Sequence, residues 1–285
     1  MSGRLDHAGS DLGPGPSIEW AASPTRRPGI SHVLFDFDGT ISLIRQGWPE
    51  VMVPMFVEAV PSLPGESEEQ LRRLVLDDIM RLNGKQTIYQ MIQLADRVRE
   101  RGGVPLEPLA YKHEYLRRLE AHIERRTSGL RDGSIAADAL LVHGVRPLLK
   151  HLRGLGLSLT LASGTDEAAV VREAELLDVA RYFGGQIYGA QEQYQGFSKK
   201  IVIDRILAED GIEGGRLLAF GDGYVEIENT KAVGGFAVAV ASDEANNGSG
   251  RVDQWKRARL LGVGADVVIP DYREAIGLVD HLLGR

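Results

Sequence analysis

Apolar residues along this chain follow two alternating rhythms. His32-Val33-Leu34-Phe35 is a short continuous apolar run of the kind that forms a strand buried on both faces. After it the period changes. Between Pro49 and about Arg126, Leu71, Leu74, Val75, Ile79 and Leu82 fall at three- and four-residue steps, as do Ile88, Met91, Ile92, Ala95 and Val98. Tyr115, Leu116, Leu119 and Ile123 form a further stripe. Breaks at Pro61-Ser62-Leu63-Pro64-Gly65, Asn83-Gly84 and Gly102-Gly103 divide this stretch into about four helices.

From about Leu140 strands and helices alternate. Helices are predicted over 145–153, 166–177 (Asp166 as N-cap, Glu167 in the first turn), 199–209 and 272–283. Strands are predicted over 157–162, 186–188, 217–220, 236–241 and 265–269, and the polar stretch from Ser242 to Gly250 reads as a loop. The fold class is therefore α/β, a Rossmann-like parallel sheet with helices on both faces, interrupted after its first strand by an all-α module. The expected boundaries are 30–43 and 136–285 for the sheet domain and 44–135 for the helical module. Residues 1–29, with Gly13-Pro14-Gly15-Pro16, Ser23-Pro24 and Pro28-Gly29, are expected to be a flexible leader in which only Ile18 and Trp20 could dock.

Composition narrows the function. The 285 residues are 43% hydrophobic and 26% charged, ordinary for a globular protein, and the net charge of −7 argues against a nucleic-acid partner. There is no cysteine, which removes disulfides, thiolate nucleophiles and Cys-ligated zinc together, and the seven histidines show no zinc spacing. His143 and His151 read as structural. No apolar stretch approaches the roughly 20 residues needed to cross a bilayer, and Asp6 and Asp11 stand where a signal peptide needs an apolar core. No membrane association is expected, and a cytoplasmic location is.

Candidate chemistry sits at the ends of the predicted strands. Asp36 and Asp38 follow the first apolar run in Phe35-Asp36-Phe37-Asp38-Gly39-Thr40. That is where open α/β sheets place ligands, and two like charges on one side of an extended chain call for a cation such as Mg²⁺. Ser163-Gly164-Thr165 links a strand to a helix and offers N–H groups and a hydroxyl to an anion. Lys199 or Lys200, at the start of an apolar helix, could reach a phosphoryl oxygen as a point charge. Gly221-Asp222-Gly223, with Glu226 four residues beyond Asp222, places two more carboxylates at the mouth of the sheet, Asp222 as N-cap and Glu226 near the first turn if the chain is helical from Tyr224. Taken alone, each is also an ordinary solvated turn.

Their order gives them weight. Over residues 31–285 the sequence Asp-x-Asp-Gly-Thr, Ser-Gly-Thr, a helix-initiating lysine and Gly-Asp-Gly-x-x-Glu resembles the haloacid dehalogenase superfamily of phosphotransferases. The resemblance implies Asp36 as the nucleophile that takes up the phosphoryl group and Asp38 as general acid and base. It implies Ser163, Gly164 and Thr165 around the phosphoryl oxygens and Lys199 as the stabilising ammonium. Mg²⁺ would be held by Asp36, Asp222 and the backbone carbonyl of Asp38. Glu226 stands where the family often has a second Asp, beside Gly223. Apolar Val202, Ile203 and Ile206 fall three, four and seven residues after Lys199, which favours it over Lys200.

The helical module occupies the position of the helical cap of one branch of the family. The short interval between Ser163 and Lys199 leaves no room for the alternative α/β cap. Within the cap, Lys85 at a helix N-terminus is a candidate substrate contact, and Arg45 with Gly47 and Trp48 a candidate hinge. The implied activity is a Mg²⁺-dependent phosphatase acting on a small phosphorylated metabolite such as a sugar phosphate, phosphoglycolate or a nucleotide. A phosphomutase of the same fold and a non-catalytic phosphometabolite-binding protein stand as alternatives, and both monomer and dimer are compatible.

Overall fold

The computed structural model describes residues 15–191 and 193–285. Its centre is the first predicted strand. Val33, Leu34 and Phe35 are at most 1% exposed, so a strand with no solvated face must have neighbours on both sides and helices above and below. The sheet consists of β1 Glu19–Trp20, β2 His32–Phe35, β3 Ser158–Asp166, β4 Ile187–Ala190, β5 Leu217–Gly221, β6 Phe236–Val240 and β7 Val267–Ile269, in spatial order β1-β7-β6-β5-β2-β3-β4. All neighbours run parallel except β1, which is antiparallel to β7.

The order fixes where a ligand can sit. From β2 the chain proceeds outward through β3 to β4, then returns to β5 on the other side of β2 and proceeds outward again through β6 to β7. The crevice where the direction reverses therefore opens between the carboxyl ends of β2 and β5. Phe35 pairs with Phe220 across that boundary, their rings stacked at 4.9 Å, and the N–H of Asp36 donates to the Phe220 carbonyl at 3.0 Å. Asp36 and Asp222 are thereby carried to the same mouth.

Helices α1 Trp48–Ala59, α2 Glu68–Arg81, α3 Thr87–Glu100 and α4 Pro108–Asp132 lie between β2 and β3. A capping box of Ser67 and Gln70 starts α2, and a proline in the first turn starts α1 and α4. Their apolar stripes meet in an interior of Phe56, Val75, Ile79, Met91, Leu94 and Leu119 that is continuous with the core above the sheet. The sheet is flanked by α5 Val145–Gly154, α6 Glu167–Leu176, α7 Lys199–Glu209, α8 Tyr224–Ala232, α9 Gln254–Gly262 and α10 Ala275–Leu283. The insert is pinned to this layer at several points. Gln86 donates to the carbonyls of Tyr194 and Phe197 at 2.8 and 2.7 Å, Lys112 pairs with Asp166 at 2.5 Å, and Arg259 of α9 donates to the carbonyls of Met80 and, at 3.0 Å, Arg81. No helix among the described residues is long and apolar enough to cross a membrane.

Five details differ from the sequence reading. Part of the expected leader is a strand: β1 covers the open edge of β7, where Trp20 gains edge-on contacts with Phe236 and His281 at 6.1 and 5.8 Å. Residues 1–14 of that expectation lie outside the described residues. β3 continues through Ser163-Gly164-Thr165 to Asp166 instead of stopping at Ala162, because Asp166 still pairs with Ala190 after a register irregularity. Asp166 does precede α6, but its carboxylate goes to Lys112 and makes no cap hydrogen bond. The N-cap of α8 is Gly223, one residue beyond the expected Asp222. After the loop that starts at Ser242 comes an unpredicted helix, α9, whose signal was Asp253: its carboxylate accepts from the N–H groups of Trp255 and Lys256, both at 2.9 Å.

Phe35 is the side chain on which the central register rests. Phe35→Ala is expected to lower unfolding free energy by about 3–5 kcal/mol in urea titrations. Leu63→Ala, at a position 47% exposed, is expected to change it by no more than about 0.5 kcal/mol.

Candidate active site

The site starts where β2 ends. Asp36 is 6% exposed, and its Oδ1 accepts the N–H of Phe37 at 2.8 Å and lies 2.9 Å from Lys199 Nζ. No other protein donor bonds its Oδ2 among the described residues, and Asp36 lines the cavity beneath the helical insert. Lys199 is the first residue of α7, a helix started by the Ser198 hydroxyl, which accepts from Ile201 N–H at 3.2 Å. Val202, Ile203 and Ile206 bury the same face, so the ammonium is turned inward and is 3% exposed. It also donates to Glu226 Oε2 at 2.7 Å, while Glu226 Oε1 accepts the N–H of Gly223 at 2.6 Å. Lys200 turns outward and pairs with Asp204 at 2.6 Å.

Asp222 stands on the opposite side of the crevice. Its N–H donates to the Thr40 hydroxyl at 2.9 Å, and that hydroxyl donates to its Oδ1 at 3.2 Å. Its Oδ2 is 2.9 Å from Lys256 Nζ. Gly39 makes this approach possible: with φ of 73° it occupies the left-handed region, and a Cβ there would lie 2.3 Å from Asp222 Oδ2.

Asp36, Asp222 and Glu226 each bring a carboxylate oxygen within 4.8 Å of the other two. Burial, together with the neighbouring Glu226 and Asp222 charges, holds the Asp36 carboxyl well above the usual carboxylate range, although Lys199 works against the rise. Burial likewise raises Glu226, again opposed by Lys199. Burial disfavours the Lys199 ammonium, but the Asp36 and Glu226 carboxylates outweigh it and keep Lys199 protonated. Converging, partly uncompensated oxygens of this kind suit a hard divalent cation, and the donor set fits one held by oxygen.

Asp38 faces a different wall. Its Oδ2 accepts the Thr165 hydroxyl at 2.7 Å and the Ser163 hydroxyl at 3.4 Å, and the N–H of Thr165 donates back to Ser163 Oγ at 3.1 Å. Its Oδ1 is buried without a hydrogen-bond partner, 3.7 Å from Arg45 Nε. Arg45 is itself clamped by Glu173 of α6, which accepts from its Nε and Nη2 at 2.7–3.2 Å. Burial pushes the Asp38 carboxyl up to about 6; Arg45 opposes this and Glu173 adds to it. The Asp38 side chain thus lies outside the three-carboxylate cluster.

One cavity collects Asp36, Asp38, Arg45, Lys85, Ser163, Gly164, Thr165, Lys199 and Asp222. Gly164 lets the insert close over it, since a Cβ there would fall 2.6 Å from the Lys85 carbonyl oxygen. Glu226 is buried behind Lys199, and Gly223 lies against Gly84. Arg45, read as a hinge candidate, is fixed to α6. Trp48, Gln90, Tyr115 and Glu244 also line the cavity, unmarked as substrate contacts by the sequence reading. Tyr115 sits on a helix stripe that the sequence reading assigns to core, and Gln90 is a polar residue between the apolar positions of another helix. Glu244 lies in a polar loop that carries no motif. Thr40, Glu173 and Lys256 were likewise not singled out, and only Thr40 stood inside a recognised pattern.

Chemically, the arrangement offers a carboxylate oxygen open to the cavity, an ammonium beside it, hydroxyls opposite, and a second carboxyl within reach of the same space. The family model for haloacid dehalogenase-like hydrolases matches residues 30–234. A search of curated proteins finds no match in sequence. Among solved structures, a predicted phosphoglycolate phosphatase from Haemophilus somnus shares 15% identity with a TM-score of 0.57, covering 88% of this chain and 98% of that one. A family hydrolase from Deinococcus radiodurans, solved with bound phosphate and sodium, shares 17% identity with a TM-score of 0.54 over 90% and 98% of the two chains. A β-phosphoglucomutase from Clostridium difficile shares 11% identity with a TM-score of 0.53 over 82% and 98%. These likenesses are likenesses of fold, and they agree with the family match over most of the chain: the protein belongs to the haloacid dehalogenase-like hydrolases.

Proposed function

We propose that the protein is a Mg²⁺-dependent phosphatase that hydrolyses a small phosphorylated metabolite through an aspartyl-phosphate on Asp36. The observation that carries this reading is the pairing of Asp36 Oδ1 with Lys199 at 2.9 Å while the other oxygen stays open to the cavity. One oxygen is thereby held and charge-compensated, and the other is left to attack.

In the first half-reaction Asp36 Oδ2 attacks phosphorus in line as the bond to the ester oxygen breaks, and Asp38 gives its proton to the departing alkoxide. In the second, Asp38 as carboxylate takes a proton from water, whose oxygen attacks the same phosphorus and releases phosphate and the Asp36 carboxylate. Lys199 balances the charge on nucleophile and phosphoryl oxygens, with Ser163 and Thr165 supplying hydroxyls and Gly164 leaving room. Mg²⁺ would be held by Asp36, Asp222 and the Asp38 carbonyl, with Glu226 behind them, and would neutralise charge on the phosphoryl oxygens.

The helices over 44–135 act as a cap on the domain formed by 30–43 and 136–285 and exclude water from the first step. Lys85 faces the substrate from the cap, and Arg45 marks the passage into it. The setting of this reading is the cytoplasm, on the sequence grounds given above.

A phosphate-release screen over phosphorylated sugars, glycolate and nucleotides is expected to find turnover with Mg²⁺ and none with EDTA. Asp36→Asn is expected to abolish it, and substantial release by that variant would remove Asp36 as nucleophile. Rearranged sugar phosphate in place of free phosphate would favour a mutase.

Asp38→Asn is expected to lower kcat by roughly 10²–10⁴-fold. Lys199→Met is expected to lower it by about 10²–10³-fold, while Lys200→Met stays close to wild type. Equal loss in both lysine variants would refute the assignment to Lys199.

A further inference from the structure

A second buried ammonium touches the carboxylate cluster, and the reaction proposed above gives it no task. Lys256 is 7% exposed and spans Asp222 Oδ2 at 2.9 Å and Glu244 Oε1 at 2.6 Å. Its place is built deliberately into the fold. Asp253 fixes the first turn of α9 through the N–H groups of Trp255 and Lys256. The turn bearing Glu244 is held by Gln46, which donates to the Glu244 carbonyl at 2.8 Å, and by Ser242, which donates to the Gly39 carbonyl at 3.1 Å. A buried ammonium persists only when paired, and here two carboxylates from separate turns pair it. Asp222 is the member of the cluster that Lys199 does not touch, and both its oxygens already have protein partners in Thr40 and Lys256.

We infer that Lys256 is a resident counter-cation that sets the affinity of the cluster for divalent metal: it holds Asp222 in place in the metal-free protein and opposes the arrival of a further positive charge. Glu244 is its second anchor, drawing the ammonium away from Asp222. The inference rests on the reading proposed above, that Asp36, Asp222 and the Asp38 carbonyl take a divalent metal, with Glu226 behind them. Lys256 is in this sense a positioning residue.

The sign of its effect follows from magnitudes. An ammonium in contact with a ligand carboxylate lies a few ångströms from any ion that carboxylate binds, and at a buried site its repulsion of a doubly charged ion is strong. Loss of an orienting partner costs roughly 10–100-fold in metal affinity, which is smaller. Removing the Lys256 charge therefore tightens metal binding. Removing the Glu244 charge leaves the ammonium on Asp222 alone and weakens it. A role in packing would weaken both.

The test is titration of the full chain with Mn²⁺ alone, without substrate or phosphate, following free Mn²⁺ by electron paramagnetic resonance. Lys256→Met is expected to bind at least about tenfold more tightly than wild type, and Glu244→Gln about threefold or more weakly. Lys256→Arg, which keeps the charge, is expected to stay near wild type. If wild type binds Mn²⁺ and a folded Lys256→Met binds it equally or less tightly, the counter-cation role is overturned while the metal reading stands. If neither binds it, the metal reading falls and this inference with it. Should Lys256→Met not fold, Lys256→Gln, which also removes the charge, is titrated in its place: tighter binding than wild type supports the role, and equal or weaker binding overturns it.

Discussion

Negative charge gathered out of water is the constraint from which the rest of this structure follows. Asp36, Asp222 and Glu226 converge at the mouth of the sheet, with Asp38 and Glu173 close behind, and burying an unpaired carboxylate is among the costliest things a protein can do. Cations from three parts of the chain accordingly meet these groups: Lys199 of α7 pairs with Asp36 and Glu226, Lys256 of α9 with Asp222, and Arg45, in the passage into the helical insert, with Asp38 and Glu173. The supporting elements are placed as they must be to deliver those charges. A buried ion pair contributes little net stability, so this expense is better understood as preorganisation for a charged reactant.

The sheet makes that convergence possible without strain. Parallel strands all end on one side, and the reversal of strand order between β2 and β5 leaves an opening that no connecting segment crosses. The same opening is roofed by the insert, and the roof can come close only because Gly164 lacks a side chain. The glycines of the two motifs thus serve distance: one admits the Lys85 carbonyl, the other admits the Asp222 carboxylate.

Much of this was legible in the sequence, for identifiable reasons. Continuous apolar runs such as Val33-Leu34-Phe35 and Leu217 to Phe220 leave little choice but buried parallel strands, and the helical stripes of the insert repeat cleanly. The phase of Val202, Ile203 and Ile206 separates the inward lysine from the outward one by simple geometry. What escaped was whatever depends on contacts distant in sequence. β1 is two residues long and exists because β7 offers an unpaired edge. Glu173 belongs to an otherwise ordinary helix, and its partner lies 128 positions away. Lys256 follows a polar loop and carries no local sign of burial. The extension of β3 past Gly164 was hidden because glycine ordinarily weakens a strand.

The bonds from Arg259 to the end of α2 acquire a meaning once Lys256 is considered, since the two side chains leave the same helix one turn apart. α9 is a crossbar: one arm grips the roof and the other grips the floor. The insert and the acidic floor of the chamber are thereby both tied to one nine-residue helix.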